Sequence, residues 1–148
     1  MAHESNDPAL DARIRRSFDR QGLMRHLGAE LITVQPGSVT IRLATRSELT
    51  QQHGYIHAGA VSTIADSAGG YAALTVMDEN SEILTVEYKI NLLAPAHGEY
   101  LEAEGSVLRS GRTLTVCRLD VWAVDGDERT PIAVGQQTLI RVDAAPSR

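Results

Sequence analysis

The sequence predicts an α+β fold in which one long central helix is wrapped by a curved antiparallel sheet of five to six strands. Two observations lead to this prediction. The segment from His57 to Met77 is rich in alanine, contains no proline and repeats its apolar residues at helical spacing. Four later segments alternate apolar and polar residues with a period of two, and short turns separate them. The apolar stripe of such a helix and the apolar face of such a sheet bury each other.

Length and composition indicate one soluble globular domain. The chain has 148 residues, of which 43% are hydrophobic and 22% charged, and its formal net charge is −5. No cluster of Lys and Arg compensates for this charge, so we expect no nucleic-acid partner. Cys117 is the only cysteine and cannot form a disulfide within the chain. Its apolar surroundings predict a packed thiol.

The beginning of the chain, MAHESNDPAL, is polar and acidic and resembles neither a secretory nor a mitochondrial signal. No apolar run approaches the ~20 residues that a membrane-spanning helix requires. We therefore expect a cytoplasmic protein with no membrane partner.

A helix and two strands are predicted before the central helix. The first helix is expected from Pro8 to Gln21, with a proline in its first turn and Gly22 as its stop signal. The strands are expected at Ala29 to Gln35 and Val39 to Ala44, because apolar residues of the second fall on one face.

The predicted central helix has an apolar stripe and an otherwise small surface. The stripe consists of Val61, Ile64, Ala65, Ala68 and Ala72. Gly69 and Gly70 lie in the middle of the helix, where each costs about 1 kcal/mol relative to alanine. We expect close approach of another backbone to offset this cost, which predicts that the sheet wraps around the helix.

Four strands are predicted after the central helix. They are Leu84 to Leu92, Leu101 to Val107, Thr113 to Val124 and Ile132 to Val142. The segments between them contain Pro-Ala, Ser-Gly and Asp-Gly pairs, which are typical of turns. The short connections favour antiparallel neighbours.

Gln51 to Ala73, Thr85 to Glu99 and Val107 to Leu114 are three segments that resemble, in sequence and in order, the PaaI-like hotdog-fold acyl-CoA thioesterases of the phenylacetate-degradation type. Gln51 to Ala73, QQHGYIHAGAVSTIADSAGGYAA, is similar to the family's core motif, in which Asn or Gln precedes His-Gly-Gly and an Asp follows nine residues after the His. Thr85 to Glu99 resembles the family's long third strand, and Val107 to Leu114 its next hairpin. The resemblance implies a hotdog thioesterase domain over residues 26–148, preceded by an N-terminal helical extension, residues 1–25.

This resemblance implies hydrolysis of an acyl-CoA thioester without a cofactor, and it assigns six residues to the catalytic site. They are Asp66, Gln51, Ala58, Thr85, His57 and Gly59. The backbone amide of Ala58 is expected to point at the thioester oxygen. Thr85 is expected to hydrogen-bond the attacking water or Asp66, and His57 to cap or brace the loop.

The chain departs from the family pattern at two positions. His57-Ala58-Gly59 stands where the family has His-Gly-Gly, which leaves the backbone amide in place. Gln51 occupies a position often held by Asn, and the adjacent Gln52 is a second candidate for this role.

Asp66 carries the predicted chemistry. An unpaired carboxylate in so apolar a helix is costly to bury. Asp66 is therefore expected either to lie on a solvated flank of the helix or to be a functional group. An ionised carboxylate can activate water against the thioester carbonyl or attack that carbon itself, and the sequence leaves both routes open. The start of the helix supplies free N–H groups for the developing oxyanion.

A basic hairpin is the candidate CoA-binding edge. Arg109, Gly111 and Arg112 lie at the turn that resembles the family's nucleotide-binding hairpin, and guanidinium groups bind phosphate well. An exposed basic turn without a ligand is the alternative interpretation. His53 and His57 are four residues apart, but no third ligand is placed near them, so we predict no metal site.

Ser67 lies in the sequence Ala-Asp-Ser-Ala-Gly, which approaches the G-x-S-x-G nucleophile motif. That motif needs a strand directly before the serine, so we expect Ser67 to be a small packing residue.

Assembly and alternative functions follow from the same resemblance. It implies a homodimer or homotetramer with a site at the dimer interface, where Asp66 and Thr85 of one subunit meet Gln51 and Ala58 of the other. A hotdog enoyl-CoA hydratase or dehydratase, which uses a His and an acidic residue, is the first alternative. A non-catalytic acyl-CoA binding module is the second.

Overall fold

A computed structural model describes residues 7–144, in which three helices, one 3-10 turn and six strands follow in order. The helices are α1 (Pro8–Phe18), α2 (Gly22–Leu27) and α3 (Ala58–Leu74), and the 3-10 turn spans Ser47–Leu49. The strands are β1 (Ala29–Gln35), β2 (Ser38–Ala44), β3 (Ser81–Leu92), β4 (Tyr100–Ser110), β5 (Leu114–Asp125) and β6 (Glu128–Asp143). The predicted α+β architecture with one central helix is confirmed.

All six strands form one antiparallel sheet in the order β1-β2-β4-β5-β6-β3. β3 pairs with β6 on one side only, so it is an edge strand of 12 residues. Its apolar side chains Leu84, Val86 and Tyr88 are 45 to 60% exposed. A long edge strand with exposed apolar residues is a surface that favours pairing with another chain.

The predicted apolar stripe of α3 is buried against the sheet. All five of its residues are 0 to 1% exposed. The close backbone approach predicted at the helix glycines is found at Gly69, opposite β4. A Cβ atom on Gly105 of that strand would lie 2.3 Å from the Gly69 nitrogen, so the strand position requires glycine.

The prediction of one N-terminal helix from Pro8 to Gln21 is wrong at its end. α1 ends at Phe18, and Gly22 begins α2 instead of stopping a helix. Gly28 is the residue that ends α2, with a φ of 73° in the left-handed region. The turn between the helices lets both Phe18 and Met24 enter the core.

Strand boundaries differ from prediction most at β6. This strand begins at Glu128, four residues before the predicted Ile132. Pro131 interrupts the alternating pattern there, and the pairing register shifts beside it, between Val121 and Trp122 of β5. No helix in the described part of the chain is long and apolar enough to cross a membrane.

Cys117 lies on β5 beneath α3 and is fully buried. Its thiol donates a hydrogen bond of 3.5 Å to the carbonyl oxygen of Gly69. Burial raises the pKa of this thiol to about 12, because the apolar surroundings disfavour the thiolate. The predicted packed thiol is confirmed.

We predict that Cys117 of the folded protein reacts with a disulfide reagent such as DTNB at least ~10²-fold more slowly than in denaturant at pH 8, because the thiolate is the reactive form. Release of thionitrobenzoate with and without urea measures both rates. Equal rates in the two conditions would contradict a buried thiol.

Candidate active site

The start of α3 leaves one backbone amide without a partner. His57 is the N-cap residue, and its ring Nδ1 accepts a hydrogen bond of 2.7 Å from the Gly59 amide. The Ala60 and Val61 amides donate to the His57 carbonyl oxygen at 2.9 and 3.3 Å. Within residues 7–144, the Ala58 amide is the one N–H of this first turn that has no acceptor. His57 thus caps the start of α3.

Gly59 makes room for this cap. A Cβ atom at this position would lie 2.9 Å from Nδ1 of His57, too close for the ring to stay where it is. The amide of Gly59 is occupied by the cap, so Gly59 positions His57 rather than offering a donor to a ligand.

Gln51 lies in a tight loop before α3 that a bridge between Thr50 and Ile56 closes. The Gln51 amide donates to the Tyr55 carbonyl oxygen at 2.8 Å, and its side-chain Oε1 accepts from the His53 amide. The side-chain NH2 group of Gln51 has no acceptor among the described residues, so it is free to donate to a ligand.

A cavity of about 570 Å³ opens beside the N-terminus of α3. Four predicted site residues line it: Gln51, Gln52, His57 and Ala58. Its opposite wall is the segment from Leu92 to Ala96, where β3 ends. The predicted amide-bearing residues therefore share one cavity.

Asp66 is half-buried in the middle of α3 and is held by two side chains from the sheet. The Thr85 hydroxyl on β3 donates to Asp66 Oδ1 at 2.8 Å. The Gln137 side-chain amide on β6 donates to the same Oδ1, and it lies 3.1 Å from the Asp66 carbonyl oxygen and 3.0 Å from Thr85 Oγ1. Asp66 and Thr85 are thus brought together.

A second cavity, of about 250 Å³, lies on the Asp66 side of α3. Asp66 and Thr85 line it together with Tyr71 of α3 and Gln21 of the N-terminal segment. The Gln21 side-chain amide donates to the Tyr71 hydroxyl at 2.8 Å, so the N-terminal segment forms part of the cavity wall.

Within one chain, the predicted catalytic residues fall into two separate groups. Ala58 and Asp66 are eight residues apart on α3, which corresponds to about 12 Å along the helix axis. They line different cavities. A single reacting carbonyl has to lie about 3 Å from both its base or nucleophile and its oxyanion donor, and within one chain Asp66 and the Ala58 amide do not meet at such a point.

The basic hairpin is exposed and lines neither of these two cavities. Gly111 closes the turn by donating its amide to the Leu114 carbonyl oxygen at 2.8 Å. Arg109 and Arg112 make no hydrogen bond or ion pair within residues 7–144, so both guanidinium groups are available to an anion.

Neither a metal site nor a serine nucleophile is built from the residues that the structure describes. No group of three or more His, Cys, Asp or Glu side chains is close enough to hold a metal ion in this part of the chain. Ser67 lies inside α3 with no strand directly before it, and its hydroxyl donates to Gln21 Oε1 at 3.5 Å.

Sequence reasoning missed Gln137, Tyr71 and Gln21 as members of the site. The signal for Gln137 was present: it occupies a position of the alternating strand whose neighbours on the same face, Ala133 and Leu139, are buried. A polar residue on the apolar face of a strand is costly to bury and marks an internal hydrogen bond.

Comparison with known proteins gives the family. The model of the thioesterase superfamily matches residues 53–130. A crystal structure of a thioesterase family protein from Silicibacter pomeroyi is 43% identical, has a TM-score of 0.89, and is matched over 91% of this chain and 99% of that chain. A Saccharolobus solfataricus protein assigned as an esterase is 33% identical over 104 residues, 70% of this chain and 74% of its own length.

The PaaI protein of Escherichia coli, from the phenylacetic acid degradation operon, shares the fold at 16% identity. Its TM-score is 0.82, and the match covers 93% of this chain and 96% of that chain. The expected PaaI-like hotdog fold is confirmed. The family model covers α3 and the strands β3 to β5, and the Silicibacter pomeroyi structure is similar over nearly the whole chain, so the chain belongs to the thioesterase superfamily.

Proposed function

We propose that the protein hydrolyses an acyl-CoA thioester to the free acid and CoA, with Asp66 as the general base or nucleophile. The observation that carries this proposal is the Asp66 carboxylate, which Thr85 and Gln137 hold at a cavity in a chain of the thioesterase superfamily. Within residues 7–144 its second oxygen, Oδ2, accepts no hydrogen bond and is free to react.

Two routes use this oxygen. On the first, Oδ2 takes a proton from water as the water oxygen adds to the thioester carbonyl carbon, and the tetrahedral intermediate then breaks its C–S bond to give the free acid and CoA thiolate. On the second, Oδ2 attacks that carbon, CoA thiolate leaves, and water hydrolyses the mixed anhydride. On both, negative charge develops on the carbonyl oxygen, and the unpaired Ala58 amide is the proposed donor to it. Gln51, with its free NH2 group, orients the thioester.

We infer that the site is completed by a second copy of the chain. The two groups of residues lie about 12 Å apart along α3 in one chain, and the exposed edge of β3 is available for pairing. In a two-fold dimer, Asp66 and Thr85 of one subunit act with Ala58 and Gln51 of the other.

The cavities also support a placement of the substrate. The cavity beside Asp66, with a volume of about 250 Å³, is the proposed site of the acyl group. Arg109 and Arg112 are proposed to bind phosphate groups of CoA, and Gly111 gives their hairpin its tight turn.

We predict that Asp66→Asn keeps the fold and lowers kcat at least ~10²-fold, because the amide is neither a base nor a nucleophile. Thiol release from a panel of short-chain, long-chain and aryl acyl-CoAs measures the loss. Asp127→Asn, at the exposed β5–β6 turn, is the matched control and should leave the rate unchanged. Near-normal turnover by folded Asp66→Asn would refute the assignment.

The oxyanion donor is tested by Ala58→Pro, which replaces the N–H at this position with a ring carbon and so removes the donor. Proline is well tolerated at the first residue of a helix. His57, before it, has φ −60° and ψ 136°, a conformation that a following proline permits. We expect kcat to fall by ~10²-fold or more, while Ala58→Ser, which keeps the N–H, stays near wild type. Equal rates for the two variants would exclude the Ala58 amide as the donor.

Mixing the two inactive variants tests whether the site is shared between subunits. A dimer of one Asp66→Asn chain and one Ala58→Pro chain contains one intact site and one doubly altered site. After subunit exchange at equal amounts, half of the dimers are mixed, so about a quarter of wild-type activity should return. No recovery, with exchange verified by mass spectrometry, would place each site within a single chain.

The two alternative functions give different products from the same assays. An enoyl-CoA hydratase forms a new hydroxyl group and leaves CoA attached, and a binding module binds acyl-CoA tightly without releasing thiol. Membership of the thioesterase superfamily favours hydrolysis over both.

A further inference from the structure

Gln137 is a fully buried polar side chain in direct contact with Asp66. It lies on β6, faces α3, and is 0% exposed. Its Nε2 group has three acceptors within reach: Asp66 Oδ1, the Asp66 carbonyl oxygen at 3.1 Å, and Thr85 Oγ1 at 3.0 Å.

The chemistry of these partners fixes the orientation of the Gln137 amide. A backbone carbonyl oxygen and an ionised carboxylate only accept hydrogen bonds, so they require the NH2 side of the amide. Turning the amide by 180° would bring Oε1 against the Asp66 carboxylate and remove the bonds to it. The amide therefore has one stable orientation while Asp66 is ionised.

The same contact fixes the direction of the Thr85 hydroxyl. Because Thr85 Oγ1 lies 3.0 Å from the Gln137 NH2 group, it accepts from that group and donates its own proton to Asp66 Oδ1. Oδ1 thus has two donors, and Oδ2 is left as the one reactive oxygen. A carboxylate held in this way cannot exchange its two oxygens by rotation without losing both bonds.

Holding the Gln137 amide in this orientation lowers the stability of the fold at the other end of the amide, its oxygen atom. Gln137 Oε1 is buried without a hydrogen-bond partner in the described part of the chain. It also occupies space beside α3: a Cβ atom on Gly69 would lie 2.0 Å from it. An apolar side chain on β6 would avoid the orphaned acceptor, so packing alone does not account for a glutamine here.

We propose that Gln137 is a positioning residue that holds Asp66 Oδ1 and orients the Thr85 hydroxyl, so that Oδ2 faces the thioester or the attacking water. This inference rests on the proposed role of Asp66. It adds to that role a buried residue that does not touch the substrate and acts through the carboxylate.

The test is Gln137→Met, which keeps the length and burial of the side chain and removes the amide. We expect kcat to fall at least ~10-fold, the scale of a lost hydrogen bond to a charged group, while KM changes less than ~2-fold. The matched control is Gln136→Met, the same change at the exposed neighbouring residue on the other face of β6, which should leave both constants unchanged. A folded Gln137→Met enzyme with wild-type kcat would overturn the proposal.

Coupling to Thr85 separates positioning from general packing. If Gln137 orients the hydroxyl, Thr85→Val lowers kcat less in the Gln137→Met background than in the wild type. Full additivity of the two effects would overturn the orienting role.

A spectroscopic measurement keeps the proposal testable even if Gln137→Met does not fold. In wild-type protein labelled with 15N, we expect the Gln137 side-chain NH2 resonances to be displaced from ordinary values and to move in Asp66→Asn. Ordinary, unmoved resonances would refute the contact in solution. If Asp66→Asn loses activity and Gln137→Met does not, this inference alone is refuted. If Asp66→Asn is active, the proposed function is refuted as well.

Discussion

The close packing of α3 on the sheet is the constraint on which the rest of the structure depends. The backbones meet at Gly69 and Gly105, where a Cβ atom on the strand would lie 2.3 Å from the helix nitrogen. Because the helix and the sheet pack this closely, two side chains from the sheet reach a carboxylate on the helix. With a wider gap, Thr85 and Gln137 would not both contact Asp66, and the carboxylate would be solvated and free to rotate.

Features that depend on neighbouring residues in the chain could be predicted from the sequence. The apolar stripe of α3 and the alternation of the strands are local periodicities, and both predicted the right elements. Burial alternates as expected along β4 and β5, whereas the apolar residues Leu84, Val86 and Tyr88 of β3 are exposed. The end of α1 was not predicted correctly, because the turn before Gly22 is set by the burial of Phe18 and Met24 in the same core. A glycine after a helical pattern permits a stop and equally permits a new helix start.

The candidate site was less predictable because its contacts are distant in sequence. Asp66 and Thr85 were linked through the resemblance to a family, and no periodicity connects residues 19 positions apart. Gln137 lies 71 positions from Asp66, and their contact depends on the register of β6 between β5 and β3. A one-residue slip of β6 would turn Gln137 to the outer face of the sheet.

The proposed dimer would account both for the separation of Ala58 from Asp66 and for the exposed edge of β3. α3 carries an unpaired amide at its N-terminus and a held carboxylate eight residues later, and a straight helix cannot bring the two to one atom. β3 ends beside the cavity that Ala58 lines, and Thr85 of the same strand hydrogen-bonds to the Asp66 carboxylate. Pairing of β3 with a second copy would cover its apolar residues and bring the missing half of the site from the neighbouring subunit. On this proposal, the association that stabilises the edge strand is the same association that creates the active site.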